Sequence, residues 1–428
     1  MSDRVMLGRL SQIATFYGER ATVGWRDGRA VSSVYETVEA EYRKIRKGIT
    51  LTDCSYVGNF RLEGPDAFRL LDRISFAGLN RLKLGRLLPS YVLDEDGGLF
   101  CEVLVADTGD RYRLVSEGAD PVRVRALLDA TAASGGLDVA IVDETQTQSF
   151  IGLNGPYSWE LLKSLIGPSA IGLRALETLP GNQVDGILFA VHRVDKAGEY
   201  GYLLQVDHDY LLALWQQLLE VGRRFEIAPV GYEAVDLCKL ENRLTNIHRE
   251  ARSAAHVLEL NTRVLVRRDG SDYRGRSAIE KALSDGIKRR LIGMMVEDER
   301  AAQPLIEPGD GVYADGVRVG DIAHCAFSFA LRRWLILAFL AVDYAYVGLR
   351  YQLGGRRGDC GVRTVSAPFT VSESLRIRPR QDSYFDRRER ARTRDGGRML
   401  PVKTAISRPH RYQNIFFEDR RAYRRTIA

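Results

Sequence analysis

The sequence predicts a mixed α+β body followed by a small, separate β-barrel. Three observations carry that reading. One grammar of strand, Gly-Pro turn and helix occurs twice, at residues 49–74 and 149–165; helices and strands alternate as far as about residue 287; and short strand-like runs replace helical periodicity from Lys288 onward. At 428 residues the chain exceeds one compact core, and ordinary domain sizes divide it into about two or three packed units.

The elements follow in order. Residues 34–47 carry charges of alternating sign with Val38, Tyr42 and Ile45 at helical spacing, and Gly48 follows as a stop, which predicts an exposed amphipathic helix. Residues 49–62 are rich in β-branched and aromatic side chains and read as strand. Gly64-Pro65-Asp66 then opens a helix over 67–74, where the missing N–H of Pro65 costs nothing in a first turn. Strands at 91–93, 99–106 and 112–116 flank the turn Asp94-Glu95-Asp96-Gly97-Gly98, and a helix over 121–133 crosses back.

The second copy of the grammar reads IGLNGPYSWELLKSL and makes Gly155-Pro156 the counterpart of Gly64-Pro65. Strands at 187–194 and 201–206, a long amphipathic helix at 210–225 and another helix at 232–241 complete the body. The apolar run 334–342 and the segment 364–377 are the clearest barrel strands. These units divide the chain at 1–140, 141–287 and 288–380, followed by a basic tail at 381–428.

Composition narrows the function classes. Hydrophobic content of 45% and charged content of 28% are ordinary for a globular chain, and no apolar run reaches the roughly 18 residues of a membrane span. The N-terminal stretch has no apolar h-region with a cleavage site, so a cytoplasmic location is expected. Cys54, Cys101, Cys238, Cys325 and Cys360 stand singly, without the paired spacing of a zinc or redox site, and no metal is expected. No Ser-His-Asp arrangement or phosphate-binding glycine loop offers rival chemistry.

The net charge of +6 is uneven. From Leu375 to the end about 16 Lys+Arg stand against about 6 Asp+Glu, which leaves the rest near −4. That density predicts a poorly packed tail from about residue 382, with Phe416, Phe417 and Tyr423 as its possible anchors. The tail lacks the regular aromatic interleaving of a single-strand binder, so nucleic acid is not an expected partner.

Eight segments in order sharpen the reading: GITLTDCSYVGNFRLEGPDAFRLLDRI, DEDGGLFCEVLV, GLNGPYSWELL, AGEYGYLL, VGYEAVDLCKLEN, DYRGRSAI, RRLIGMMVE and VYADGVRVGDIAHCAFSFALRRWLILAFL. Together, over residues 35–368, they resemble the glycine-cleavage T-protein (aminomethyltransferase) superfamily, which includes folate-dependent demethylases. The resemblance implies a cloverleaf of two related α+β units plus a C-terminal β-barrel around a central opening. It implies tetrahydrofolate as cofactor, a small amine or methyl ether as one-carbon donor, and methyl or aminomethyl transfer as the reaction. The oligomeric state stays open.

The same resemblance assigns residues. Aligned on Gly97-Gly98, Glu102 takes the place of the family's acid, one methylene longer than the usual aspartate, where a carboxylate can assist proton transfer at the folate nitrogen. Tyr91, Ser116, Glu199, Tyr202, Leu203 and Val235 fall at folate-lining positions. Four of these regions depart from the family pattern: Lys196 stands for a tyrosine, Leu203 for a glutamate that pairs with the pterin edge, Val235 for an arginine, and Ser116 for an asparagine. The family's tyrosine before the Gly-Gly turn falls at Pro89, with Tyr91 two residues on.

An isobutyl group cannot accept the pterin N–H bonds. Glutamate restored at Leu203 should therefore tighten folate binding if the pocket survives, and destabilise the chain if Leu203 is core; partial tightening is the expectation, because Val235 and Ser116 differ from the family as well. Glu199 has a structural alternative, anchoring the Gly198–Gly201 turn through backbone N–H groups. Glu241 is expected to pair with an arginine, and His248 to lie at the surface or in packing. Arg332 and Arg333 would meet the folate glutamyl tail or a carboxylated substrate. The alternative to an enzyme is a redirected or non-catalytic member that binds another ligand or a protein; the Lys-Gly-Cys-Tyr-x-Gly-Gln segment of iron-sulfur assembly relatives has no counterpart here.

Overall fold

In a computed structural model, residues 10–262, 265–267, 269–297, 306–354 and 360–394 are described. The chain forms two compact units, Met1–Ile377 and Arg378–Ala428. The first holds a five-stranded sheet, a six-stranded sheet, a two-stranded sheet and a closed six-stranded barrel. No helix among the described residues is long and apolar enough to cross a membrane.

The two larger sheets repeat one plan. In the first, Leu87–Leu93, Leu99–Asp107 and Tyr112–Glu117 form an antiparallel meander that ends on Gly58–Glu63. In the second, Thr178–Val184, Ile187–His192 and Gly201–Asp207 form a meander that ends on Gln148–Asn154. Each Gly-Pro turn follows that fourth strand and starts a helix, Ala67–Ile74 or Ser158–Ile166. Both glycines are required: their φ angles are 115° and 122°, and an added Cβ would lie 2.7 Å from Asp138 O at Gly64 and 2.3 Å from Gly48 O at Gly155.

Residues 49–62 do not form one strand. Thr50–Asp53 joins the second sheet beside Gln148–Asn154, whereas Gly58–Glu63 joins the first. Asp53 turns the chain between them by accepting from the Ser55 N–H at 3.0 Å, a side-chain turn that apolar periodicity does not reveal. The two sheets therefore interleave along the sequence, and a linear cut at residue 140 leaves Thr50–Asp53 on the opposite side from its sheet.

The helix Val38–Lys47 is less exposed than its charges suggest. Thr37 caps it, accepting from Ala40 N–H at 3.1 Å, while Glu41, Tyr42 and Ile45 are buried. Tyr42 and Ile45 join the apolar cluster that sets the helix Tyr232–Asn242 against the barrel residues Leu335, Leu337 and Phe339. The barrel runs Arg289–Val296, Arg333–Ala341, Val317–Ser328, Gly311–Ala314, Arg350–Leu353 and Cys360–Val365, and closes between the first and last of these. Residues 366–377 are not strand; they hold only the short turn Glu373–Arg376. In the second unit the described part forms a helix, Tyr384–Arg394, absent from the sequence reading. Phe416, Phe417 and Tyr423 lie outside the described residues.

Candidate functional site

The site starts from strand alternation. In Leu99–Asp107, Cys101, Val103 and Val105 turn into the apolar core beneath helices Ala67–Ile74 and Pro121–Gly135, so Glu102 turns to the other face. There it stands directly opposite Tyr91 on one neighbouring strand and Glu117 on the other. The hairpin before it is fixed by Asp94, whose Oδ1 accepts from Asp96 N–H at 3.0 Å and Gly98 N–H at 2.7 Å. Glu102 is only partly covered and makes no hydrogen bond or ion pair among the described residues.

Ser116 lies on the wrong face for a ligand shared with Glu102. It is opposite Val103, fully buried, and its Oγ has no hydrogen-bond partner; it packs beside Gly58 under Pro121. The next residue, Glu117, faces the site. A shift of one position reverses every side chain in a strand, and so the sequence singles out Ser116 where the structure presents Glu117.

Glu117 is the hub of a buried charge cluster. It accepts from Lys196 Nζ and from the Tyr56 hydroxyl at 3.1 Å, and it lies 3.7 Å from Lys239 Nζ and 3.3 Å from His248 Nε2. Burial raises its carboxyl, but Lys196, Lys239 and His248 outweigh burial and hold it well below the usual range. Glu102 moves the opposite way: burial raises it, Glu117 and Glu250 add to the rise, and Lys239 and Lys196 offset only part. Two facing carboxyls with titrations driven apart are the arrangement that lets one stay charged while the other carries a proton.

His248 is not a surface residue. Its Nδ1 is 3.7 Å from Asp27 Oδ1, and burial takes the imidazole down to about 4. Burial also pushes Asp27 up to about 7, although Gly118 N–H donates to it at 2.7 Å. Asp236 accepts from Arg26 at 2.5 Å, Arg249 at 2.8 Å and Asn246 at 2.8 Å, so one arginine distant in sequence and one from the loop after its own helix reach the aspartate whose neighbour is Val235.

The other expected residues divide. Tyr91 is buried beside Glu102; burial and that carboxyl raise its phenol, and Thr245 offsets part of the rise. Leu203 belongs to an apolar cluster with Cys54, Tyr56, Phe150 and Val194, and Tyr202 alternates to the opposite face of that strand. Val235 is buried in the seam against the barrel. Glu199 accepts from Arg46 at 3.0 Å, Ser374 N–H at 2.8 Å and Ser374 Oγ at 2.6 Å; the turn it was expected to anchor is held by Asp195, which accepts from Ala197 and Gly198 N–H at 2.7 Å each. Glu241 pairs with Arg46 at 2.7 Å and accepts from Ser328 at 2.5 Å. Arg333 donates to Val296 O at 3.3 Å and Glu297 O at 3.1 Å, and Arg332 is an exposed turn residue with φ of 54°.

Leu203→Glu is accordingly expected to destabilise the chain, on the order of 3 kcal/mol, because it puts a carboxylate among apolar neighbours. Urea unfolding measures this. An unchanged midpoint would show that the position tolerates charge and reopen it as a ligand contact.

Sequence reasoning missed Glu117, Lys239, Tyr56 and Asp27. A charged residue at the end of YRLVSE reads as an exit to solvent, and Lys239 sits on a helix whose eight residues from Ala234 to Glu241 are all buried, which removes the amphipathic signal.

Residues 11–270 match the GCVT N-terminal domain, and residues 289–370 match the glycine cleavage T-protein C-terminal barrel domain. The chain is 27% identical over 360 residues to an aminomethyltransferase of Symbiobacterium thermophilum, covering 82% of this chain and 93% of that protein. It is 23% identical over 371 residues to the mitochondrial dimethylglycine dehydrogenase of Mus musculus, covering 86% of this chain and 42% of that one. The crystal structure of glycine cleavage system aminomethyltransferase T from Bartonella henselae superposes with a TM-score of 0.73 at 21% identity, over 85% of this chain and 98% of that chain, a likeness of fold.

Proposed function

Because the chain belongs to the glycine cleavage T-protein family, we propose that it is an enzyme that moves a methyl or aminomethyl unit from a small amine or methyl ether to tetrahydrofolate. The observation that supports this most is the Glu102–Glu117 pair. Glu102 holds a raised carboxyl, without a hydrogen bond among the described residues, at the family's acid position, and Glu117 opposite it is kept ionised.

The two ends of the folate site differ in fit. At the acid end a free carboxyl suits a proton-transfer role. At the pterin end Leu203 offers no acceptor, but Tyr56 from its own cluster leads to Glu117, a buried carboxylate able to accept N–H bonds in its place. Bound tetrahydrofolate supplies a nitrogen that accepts the one-carbon unit. The chain's own work is to hold that acceptor, to keep Glu102 able to give or take a proton, and to neutralise Glu117 with two lysines.

Calorimetry with tetrahydrofolate tests the reading, with one site per chain expected. Absence of heat at millimolar ligand would defeat it. That outcome favours a second reading, a redirected family member, for which one observation speaks: Lys196 and Glu117 satisfy each other's charge without a ligand.

A further inference from the structure

The hairpin of strands Thr22–Arg26 and Arg29–Val34 carries Asp27 and Gly28 at its tip, with φ angles of 47° and 83°, the left-handed pair that a tight Asp-Gly hairpin turn requires. Arg26 fixes the tip in place: its guanidinium donates to Asp236 at 2.5 Å and lies 4.0 Å over the Tyr232 ring. Asp27 is thereby buried against the end of strand Tyr112–Glu117, where its Oδ2 accepts from Gly118 N–H at 2.7 Å. Its Oδ1 has no hydrogen-bond partner among the described residues and faces His248 Nδ1 at 3.7 Å.

The other nitrogen of the same ring, Nε2, is 3.3 Å from Glu117 Oε1, and it too makes no directed hydrogen bond among the described residues. An imidazole with a carboxyl oxygen against each nitrogen sets a proton count: when neutral it has one N–H and serves only one of the two. The second contact is matched by one more proton, on the ring or on a carboxyl. Glu117 does not take it, because Lys196, Lys239 and the Tyr56 hydroxyl already face it. Burial opposes a charged ring more than Glu117 favours one, and Arg26 and Lys239 add to that opposition. Asp27 is left: burial and the neighbouring Glu117 favour its neutral form, and Gly118 N–H, Arg26 and Arg252 offset only part of that. Tyr56 and Cys101 complete the titratable surroundings, both pushed up by burial and thus neutral.

We infer that Asp27 is a positioning residue, which holds a proton against His248 Nδ1 so that the imidazole presents its Nε2–H to Glu117. The proton sits on Asp27 Oδ1, Nδ1 accepts it, and Nε2–H donates to Glu117, so the three groups together keep one negative charge, on Glu117. Burial takes Asp27 up to about 7, and the arrangement therefore holds below that pH and ends above it. An ionised Asp27 accepts instead of donating; the ring then carries its proton on Nδ1 and turns a lone pair at Nε2 toward Glu117. A neutral side chain in this way carries pH to the carboxylate opposite Glu102. The consequence for turnover rests on the transfer reading, whereas the tautomer does not.

Nitrogen NMR on the full chain with isotope-labelled histidine tests this without any substrate; His248, one of six histidines, is assigned by the signal lost in His248→Gln. In the wild type the Nε2–H form is expected to exceed the Nδ1–H form about tenfold at about pH 5.5 and to fall below it by about pH 8.5. Asp27→Asn is expected to keep the Nε2–H form at both values, since Gly118 N–H holds the amide oxygen and turns the amide N–H toward Nδ1. A ring protonated on both nitrogens near neutral pH, or one whose tautomer is the same at both values, overturns the inference. So does a swap that persists in Asp27→Asn; if that variant does not fold, the wild-type titration decides alone. A swap together with no tetrahydrofolate binding by calorimetry keeps Asp27 in this role and removes the transfer reading, and tetrahydrofolate binding with a fixed tautomer does the opposite.

Discussion

Glu102→Gln is expected to lower turnover about 10²- to 10⁴-fold, the range a positioned proton-transfer group contributes, with little change in stability. Glutamine keeps the size of the side chain, and Glu102 makes no hydrogen bond or ion pair among the described residues that the change would break. Its raised carboxyl also sets an expectation for pH. One limb of the turnover profile should report a group titrating above the ordinary glutamate range, because burial, Glu117 and Glu250 all raise it. That limb should vanish in the variant. Unchanged turnover with chemistry limiting the rate would take Glu102 out of the mechanism. Lost activity together with a large fall in unfolding midpoint would make it a structural residue.

The fold is legible where local necessity repeats. Gly64 and Gly155 both sit at positive φ against a backbone carbonyl that a Cβ would strike, so the same Gly-Pro signature marks the same turn twice. The Asp94–Gly98 turn and the dense barrel strands are equally local. Residues 49–62 are not, because the break at Asp53 depends on a side-chain turn and on a partner strand nearly 100 residues away. The site follows the same division. Glu102 is proposed from the family resemblance aligned on two glycines, whereas Glu117 becomes visible only when Lys196, Lys239, Tyr56 and His248 arrive from four separate segments. Single-position alignment singles out Ser116, whereas strand pairing puts Glu117 opposite Glu102 and Ser116 opposite Val103.

Glu117→Ala should be the most damaging single change to stability, costing about 3–5 kcal/mol, since it leaves two buried ammonium groups without their main counter-ion. Glu117 has a carboxyl held below its unfolded value, so its stabilisation is complete above the ordinary glutamate pKa and is lost as pH falls toward the folded one. The gap in unfolding free energy between wild type and Glu117→Gln should therefore narrow on acidification. Replacing Lys196 by methionine in the same chain should recover part of the loss by removing one stranded cation, a coupling that a double-mutant cycle reads directly. The effect also reaches the proposed acid. With Glu117 gone, Glu102 loses a neighbour that raises its carboxyl and keeps Lys239 and Lys196, which lower it. In Glu117→Gln the limb of the pH profile assigned to Glu102 should move to lower pH. A limb that stays in place, with stability lost as expected, would mean that Glu117 holds the lysines but does not tune Glu102; a stable Glu117→Ala would mean that the lysines reach solvent and the cluster is not a buried one.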